Sequence, residues 1–321
     1  MNLNEITIEV TQRCPNRCIY CSSFSDTTKS KYLDFDTICR VVDDAKSLGT
    51  KSVSLSGGEP LLHPDIVNIT DYIHAQGLNC LLYTSGIVLA EDGIPTSVPS
   101  EVLEKIKGTI SKLIVNIESS DEETYNIIMG TNFGGFSLMQ TTIRNARERG
   151  IAIEAHMVPM KVNYLQIPEV IKMCVDLGIS QISFLRLVVQ GRAQENLQKV
   201  LLDTDEYDTA KRLMKEATEY SNIKIRMGVP FRNGTRRINC MTGICKLDVR
   251  YDGKVYPCEA FKNNNLMHVG IETDNVNKKS LKEIYLSSAY LIHVRSLLET
   301  FQKEKTCETC MNQYYTRKKM I

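Results

Sequence analysis

The sequence predicts an α/β protein built on a parallel sheet, followed by a smaller region of different character. Three observations point there. From residue 6 to about 186, short β-rich runs alternate with amphipathic helical stretches. Several helical stretches end on a glycine stop, as at Gly49, Gly77, Gly150 and Gly178. Past about residue 221 the alternation ends and the chain becomes polar and irregular. Strands that alternate with helices imply βαβ units, because a parallel partner needs a crossover connection. Six such units in succession predict an open or incomplete barrel, with a doubly wound sheet as the alternative.

The strands are expected at ITIEVT (6–11), SVSLS (52–56), LNCLLYT (78–84), KLIVNI (112–117), IAIEAHM (151–157) and ISQISFLRL (179–187). Helical patterns lie between them near 35–48, 65–76, 99–109, 137–149 and 167–177, and a last helix is expected over 203–221. VPFRNGTRRIN (229–239) reads as irregular, and KLDVRYDGKVYPC (246–258) as a hairpin turning at Asp252-Gly253. One or two short helices follow in 280–300, then CETC (307–310) and a basic tail. The expected division is 1–221 and 222–321.

A chain of 321 residues with 42% hydrophobic content can bury a sizeable core in one large domain or two ordinary ones. Its net charge of +1 gives no electrostatic case for nucleic acid or a membrane surface. No run is long and apolar enough for a membrane span, and MNLNEITIEV lacks the features of a signal peptide, so a cytoplasmic chain is expected. Eleven cysteines are many for that compartment, where disulfides are disfavoured, and clustered cysteines then read as metal ligands or catalytic groups. Cys39, Cys80 and Cys174 sit in apolar patterns and read as buried small hydrophobes.

CPNRCIYC places Cys14, Cys18 and Cys21 directly after the first strand, at the edge where a barrel gathers its functional residues. Thiolates are soft ligands suited to zinc or iron–sulfur clusters. Structural zinc is normally closed by four protein ligands, and no histidine precedes His63. A four-iron cluster on three cysteines would keep one iron open to an outside ligand. A purely structural metal site is the alternative.

The stretch resembles the CxxxCxΦC signature of the radical S-adenosylmethionine (SAM) enzymes, with Tyr20 at the aromatic position. The resemblance implies a partial (β/α)6 TIM-like barrel and a [4Fe-4S] cluster whose open iron binds SAM. It also implies reductive cleavage of SAM to a 5′-deoxyadenosyl radical that takes a hydrogen atom from the substrate. An electron donor such as flavodoxin or ferredoxin is implied too.

Other segments carry the resemblance further. SGGEP ends the second strand, and Gly57, Gly58 and Glu59 match the motif that binds the SAM amino group; two glycines would let the backbone approach a ligand closely. YTSG, with Thr84 and Ser85, resembles the TNG that closes the third strand in relatives. NIESS ends the fourth, where Asn116 and Glu118 would face the ribose. In FLRLVVQGRA, Arg186 and Arg192 would face cofactor or substrate, with a structural salt bridge as the alternative and the preferred reading for Arg192. One departure stands out. Where many relatives carry an arginine for the SAM carboxylate, IIMG has Met129, which leaves that contact to Asn132 or a backbone amide.

The C-terminal region resembles the SPASM and shortened Twitch domains of the same superfamily. Twelve residues separate Cys240 from Gly253, four more precede Cys258, and Cys307 and Cys310 follow as CxxC. These four cysteines would hold one auxiliary [4Fe-4S] cluster; a four-cysteine zinc site is the alternative. Cys245 is then spare, as an alternative ligand, an inert thiol or a hydrogen donor that quenches a substrate radical. Relatives with such a domain oxidise small alcohols, mature sulfatases, or cross-link or epimerise peptides. A peptide or small-molecule substrate is therefore expected. With the first strand starting at about residue 6, no N-terminal peptide-recognition domain is expected, which favours a small substrate or a peptide delivered by a partner chain. The competing function is a non-catalytic iron–sulfur electron carrier or scaffold.

Overall fold

The computed structural model describes residues 2–220, 222–228, 240–262, 271–303, 310–312 and 314–315. Strand β1 (Glu5–Thr11) sets the pattern for the sheet: Ile6, Ile8 and Val10 are fully buried in the apolar core, while Glu5, Thr7, Glu9 and Thr11 occupy the alternate face. The chain continues through α1 (Phe35–Ser47), β2 (Ser52–Gly57), α2 (Ile66–Ala75) and β3 (Asn79–Thr84). Asp34 caps α1 by accepting the Thr37 amide at 2.8 Å. A small hairpin absent from the sequence expectation, β4 (Ile87–Leu89) with β5 (Pro95–Ser97), precedes α3 (Ser100–Ile106) and β6 (Lys112–Asn116). Then come α4 (Glu122–Met129), α5 (Gly135–Glu148), β7 (Ile153–Met157), α6 (Ile167–Asp176) and β8 (Gln181–Phe184). Two single-turn helices, α7 (Arg192–Glu195) and α8 (Leu197–Val200), lead to α9 (Thr204–Tyr220) and β9 (Lys224–Met227). The rest is β10 (Lys246–Val249), β11 (Val255–Tyr256), α10 (Leu281–Ser287) and α11 (Ala289–Lys303).

The main sheet has nine strands in the order β11-β10-β1-β2-β3-β6-β7-β8-β9, parallel except for the β10–β11 pair. The six strands expected from sequence lie side by side in chain order. A doubly wound sheet reverses its order at a switch point, so this order decides for the open, barrel-type arrangement. Two additions were not foreseen. Strand β9 extends the sheet beyond β8, and β10 joins the free edge of β1 with Glu5 opposite Lys246. The sheet therefore takes strands from both sides of the expected boundary. The hairpin turns at Asp252-Gly253 as expected, closed by Arg250 N–H to Lys254 O at 2.9 Å. Strand β8 stops at Phe184, short of the expected 187, so Arg186 lies in the loop after it. The irregular segment 229–239 lies outside the described residues.

One face of the sheet packs against the helices and the other is unusually polar. Glu9, Glu154, His156, Ser183 and Asp248 are all buried there. Buried charge is tolerable only when paired; Glu9 and Glu154 are hydrogen-bonded, while Asp248 has only Lys262 Nζ at 4.0 Å. Lys262 bonds Glu9, whose carboxylate also accepts Ser23 Oγ at 2.7 Å. Glu154 takes Lys112 Nζ at 2.8 Å, His156 Nε2 at 3.1 Å and the Ser183 hydroxyl. This polar face lies below the loops that carry the site.

Candidate active site

The loop after β1 carries Cys14, Cys18 and Cys21, and three neighbouring elements hold it. The first is the end of β2, where Gly58 N–H donates to Thr11 O at 2.7 Å and Glu59 N–H to Arg13 O at 2.8 Å. A Cβ on Gly58 would sit 2.2 Å from Arg13 O, and one on Gly57 would sit 2.3 Å from Thr11 O. Both glycines are therefore required by the approach of protein backbone, here the stem of the cysteine loop. The second element is the C-terminus of α4. Its last carbonyls have no partner within the helix, and the loop supplies donors: Arg17 N–H to Met129 O and Ile19 N–H to Ile128 O, both 2.9 Å. Met129 is buried, with its Sδ 3.7 Å from Cys18 Sγ. The residue that replaces the relatives' arginine thus packs the cysteine loop. The third element is the segment after β8. Arg192 donates through its backbone N–H to Cys21 O at 3.0 Å, through Nε to Cys18 O at 2.8 Å and through NH2 to Ser25 O at 2.6 Å. The expected salt bridge at Arg192 is corrected to a clamp on carbonyl oxygens.

Two buried carboxyls flank this loop. Glu59 accepts Thr84 Oγ1 at 2.7 Å, Ser85 N–H at 2.9 Å and Ser85 Oγ at 2.8 Å. Glu118 accepts Tyr20 OH at 2.7 Å and Val158 N–H at 2.8 Å. Burial pushes each carboxyl up to about 7, against the pull of its hydrogen bonds. Asn116 Nδ2 lies 3.5 Å from the Tyr20 hydroxyl. The structure thus gathers Gly57, Gly58, Glu59, Thr84 and Ser85 on one side of the loop, and Tyr20, Asn116 and Glu118 on another. Asn163 was not anticipated: its Nδ2 donates to Glu118 O at 2.8 Å and its Oδ1 accepts Met160 N–H at 2.6 Å, fixing the chain around Glu118. An asparagine in a loop carries no sequence signal for such a contact.

Three free thiols in one loop match the soft donor set of an iron–sulfur cluster. Burial drives the Cys14 and Cys18 thiols up; the charge of Cys18 adds to the rise at Cys14, and that of Cys21 to the rise at Cys18. Such mutual repulsion is relieved when a cationic centre takes the sulfurs. Asn16, between the first two cysteines, is buried with both side-chain polar atoms unpaired. Among the described residues, no three His, Cys, Asp or Glu side chains are close enough to cage a single ion.

The second set forms lower on the sheet. Cys310 adds to the rise of both the Cys240 and Cys258 thiols, each driven first by burial, with Cys258 reaching about 12. Backbone N–H groups of Thr242 and Met311 near Cys240 favour its thiolate form. Cys307 lies outside the described residues. Arg186 pulls the Cys240 thiol down, so its charge is felt at this second site. Cys245 lies at the opposite end of β1 from the Cys14 loop. Its carbonyl accepts Asn4 N–H at 2.8 Å and Glu5 N–H at 3.1 Å, at the foot of β1. From there β1 rises about 20 Å, at about 3.3 Å per residue, before the Cys14 loop begins. A thiol at the foot of the strand is badly placed to quench a radical formed at its top.

Comparison with known proteins agrees with this geometry. The family model of the radical SAM superfamily matches residues 8–174 of the 321, and that of an iron–sulfur cluster-binding domain, SPASM, matches residues 240–311. The chain belongs to the radical SAM superfamily. Its cofactors are accordingly a [4Fe-4S] cluster with SAM and auxiliary iron–sulfur, and it is an enzyme that cleaves SAM reductively. The PqqA peptide cyclase of Ruegeria pomeroyi is 28% identical over 307 residues, covering 94% of this chain and 78% of that one. The PqqA peptide cyclase of Methylorubrum extorquens is 28% identical over 311 residues, with 94% and 76% covered. Among solved structures, Streptococcus suis SuiB bound to precursor peptide SuiA superposes with a TM-score of 0.74 at 20% identity, covering 92% of this chain and 67% of that one. That likeness establishes the fold. Membership of the superfamily leaves a non-catalytic carrier or scaffold without support. Among the described residues, no helix is long and apolar enough to cross a membrane.

Proposed function

We propose that this enzyme modifies a peptide by oxidative bond formation, with the substrate held on the polar face between the two cysteine sets. The observation that carries this reading is their placement. Cys14, Cys18 and Cys21 crown the C-terminal end of β1, while Cys258 follows β11, which runs back down the same sheet until Glu259 accepts Thr7 Oγ1 at 2.9 Å. A substrate between them would face a hydrogen-abstracting group on one side and an electron-accepting group on the other. The relatives named as peptide cyclases, matched over 94% of this chain, support a peptide as substrate.

Cys14, Cys18 and Cys21 would hold the SAM-binding cluster, and Cys240, Cys258, Cys307 and Cys310 one auxiliary cluster. When bound, the first cluster and SAM supply a 5′-deoxyadenosyl radical that takes a hydrogen atom from the substrate. The chain's own work is orientation and the exclusion of water. Gly57, Gly58, Glu59, Thr84 and Ser85 would frame the SAM amino group, and Tyr20, Asn116 and Glu118 its nucleoside side. Arg186 would serve the auxiliary site. Residues 1–221 then carry the SAM site and 222–321 the auxiliary one, joined through the β1–β10 pairing. The ten described cysteines are all free thiols, which supports a cytoplasmic setting with a flavodoxin or ferredoxin as electron donor.

The test is anaerobic reconstitution and reduction with SAM and short peptides encoded beside the gene, read by mass spectrometry. A peptide that loses two hydrogens as 5′-deoxyadenosine forms supports oxidative cross-linking. A peptide that keeps its mass in H2O and takes one solvent deuterium onto carbon in D2O would replace this reading with epimerisation.

A further inference from the structure

Arg192 is only 4% exposed, yet the hydrogen-bond partners of its guanidinium are the carbonyl oxygens of Cys18 and Ser25. Among the described residues no carboxylate lies within ion-pair distance of it. Asp26, which feels its charge, is partly exposed and bonded to Thr28. A buried cation without a counter-ion is costly, and proteins retain one where an anion completes it. Carbonyl dipoles solvate the guanidinium but do not neutralise it.

The surroundings show an arrangement built to hold that charge in place. Gly191, at φ 58°, brings the chain so close to the cysteine loop that a Cβ there would meet Cys21 O at 2.5 Å. Asn196 Nδ2 adds a bond to Ile19 O at 3.3 Å. Phe24, against which the guanidinium stacks with a 6.0 Å centroid distance, has the left-handed backbone (φ 51°) that a bulky residue adopts only under constraint.

We propose that Arg192 is the built-in counter-charge of the SAM-binding cluster and sets its reduction potential. The inference rests on the assignment of Cys14, Cys18 and Cys21 as that cluster's ligands. Reduction adds one electron to a centre already negative through its three thiolates. A fixed cation at the cysteine carbonyls favours the more negative state and raises the potential, as hydrogen bonding and local charge do at such centres. Arg192 is thus a positioning residue that also makes the reduced state accessible.

The test is an anaerobic redox titration of the reconstituted protein followed by EPR, with the first cluster's signal assigned by its change when SAM is added. Arg192→Gln keeps hydrogen-bond donors for the carbonyls and drops the charge, while Arg192→Lys keeps the charge and drops the fork. The expected result is a lower midpoint for Arg192→Gln and a midpoint near the parent for Arg192→Lys. Full iron with a parental midpoint in Arg192→Gln would overturn the proposal. If Arg192→Gln assembles no first cluster, assembly in Arg192→Lys supports the counter-charge, and failure in both assigns Arg192 to loop shape and overturns it. A parent chain with no SAM-responsive cluster would instead sink the ligand assignment itself.

Discussion

Replacing Gly58 by alanine tests how the cysteine loop is held. The new Cβ would lie 2.2 Å from Arg13 O and 2.7 Å from Gln12 O, both backbone atoms that cannot swing aside. Overpacking of this kind costs about 1–3 kcal/mol. Separation of the two backbones also weakens the 2.7 Å bond from Gly58 N–H to Thr11 O and the 2.8 Å bond from Glu59 N–H to Arg13 O. Each is worth about 1 kcal/mol. Some strain is relieved as the bonds lengthen, so a net loss of about 2–4 kcal/mol is expected. Urea unfolding of the metal-free chain reads the stability, and iron per chain after anaerobic reconstitution reads the loop. Gly108→Ala is the control: its Cβ meets nothing within 4 Å and its φ is not positive. That variant should stay within about 1 kcal/mol of the parent. Were Gly58→Ala to unfold within about 0.5 kcal/mol of the parent and bind the parent's iron, the close approach would not be what demands glycine.

Three further outcomes are expected. Glu59 and Glu118 titrate near 7 when folded against an ordinary value of 4.5, so the folded chain binds more protons between those values and loses stability as pH rises through them. Urea midpoints from pH 5 to 8 should fall less steeply for the Glu59→Gln/Glu118→Gln chain than for the parent; parallel curves would refute this. Cys310→Ala should lower reconstituted iron by about half while keeping the SAM-responsive EPR signal, if each site holds one four-iron cluster. Cys245→Ser should keep the parent's yield of 5′-deoxyadenosine, because that residue sits at the foot of β1 and away from the Cys14 loop.

The six-strand series was legible because apolar and polar residues alternate within each strand and helical periods separate them. Ile6, Ile8 and Val10 against Thr7 and Glu9 show the rule in one line. The hairpin at Asp252-Gly253 was legible from its turn, but the edge it joins was not, because the pairing of Glu5 with Lys246 leaves no local trace. SGGEP was legible as a place of close approach. What approaches there is the stem of the cysteine loop, a contact that needs the third dimension to be seen. The contacts of Arg192 are hidden for the same reason: its partners are carbonyls 174 and 167 residues away, and backbone acceptors look alike in any sequence. The chemistry of the Cys245 thiol is legible in the sequence, while its placement follows from how β10 enters the sheet.

The central claim is that three cysteines after β1 leave a cluster open to SAM. Reduced, reconstituted protein should form 5′-deoxyadenosine from SAM, and Cys14→Ala, Cys18→Ala and Cys21→Ala should each abolish it while the auxiliary site keeps its iron. A parent chain that carries both iron–sulfur sites and forms no 5′-deoxyadenosine would contradict the account.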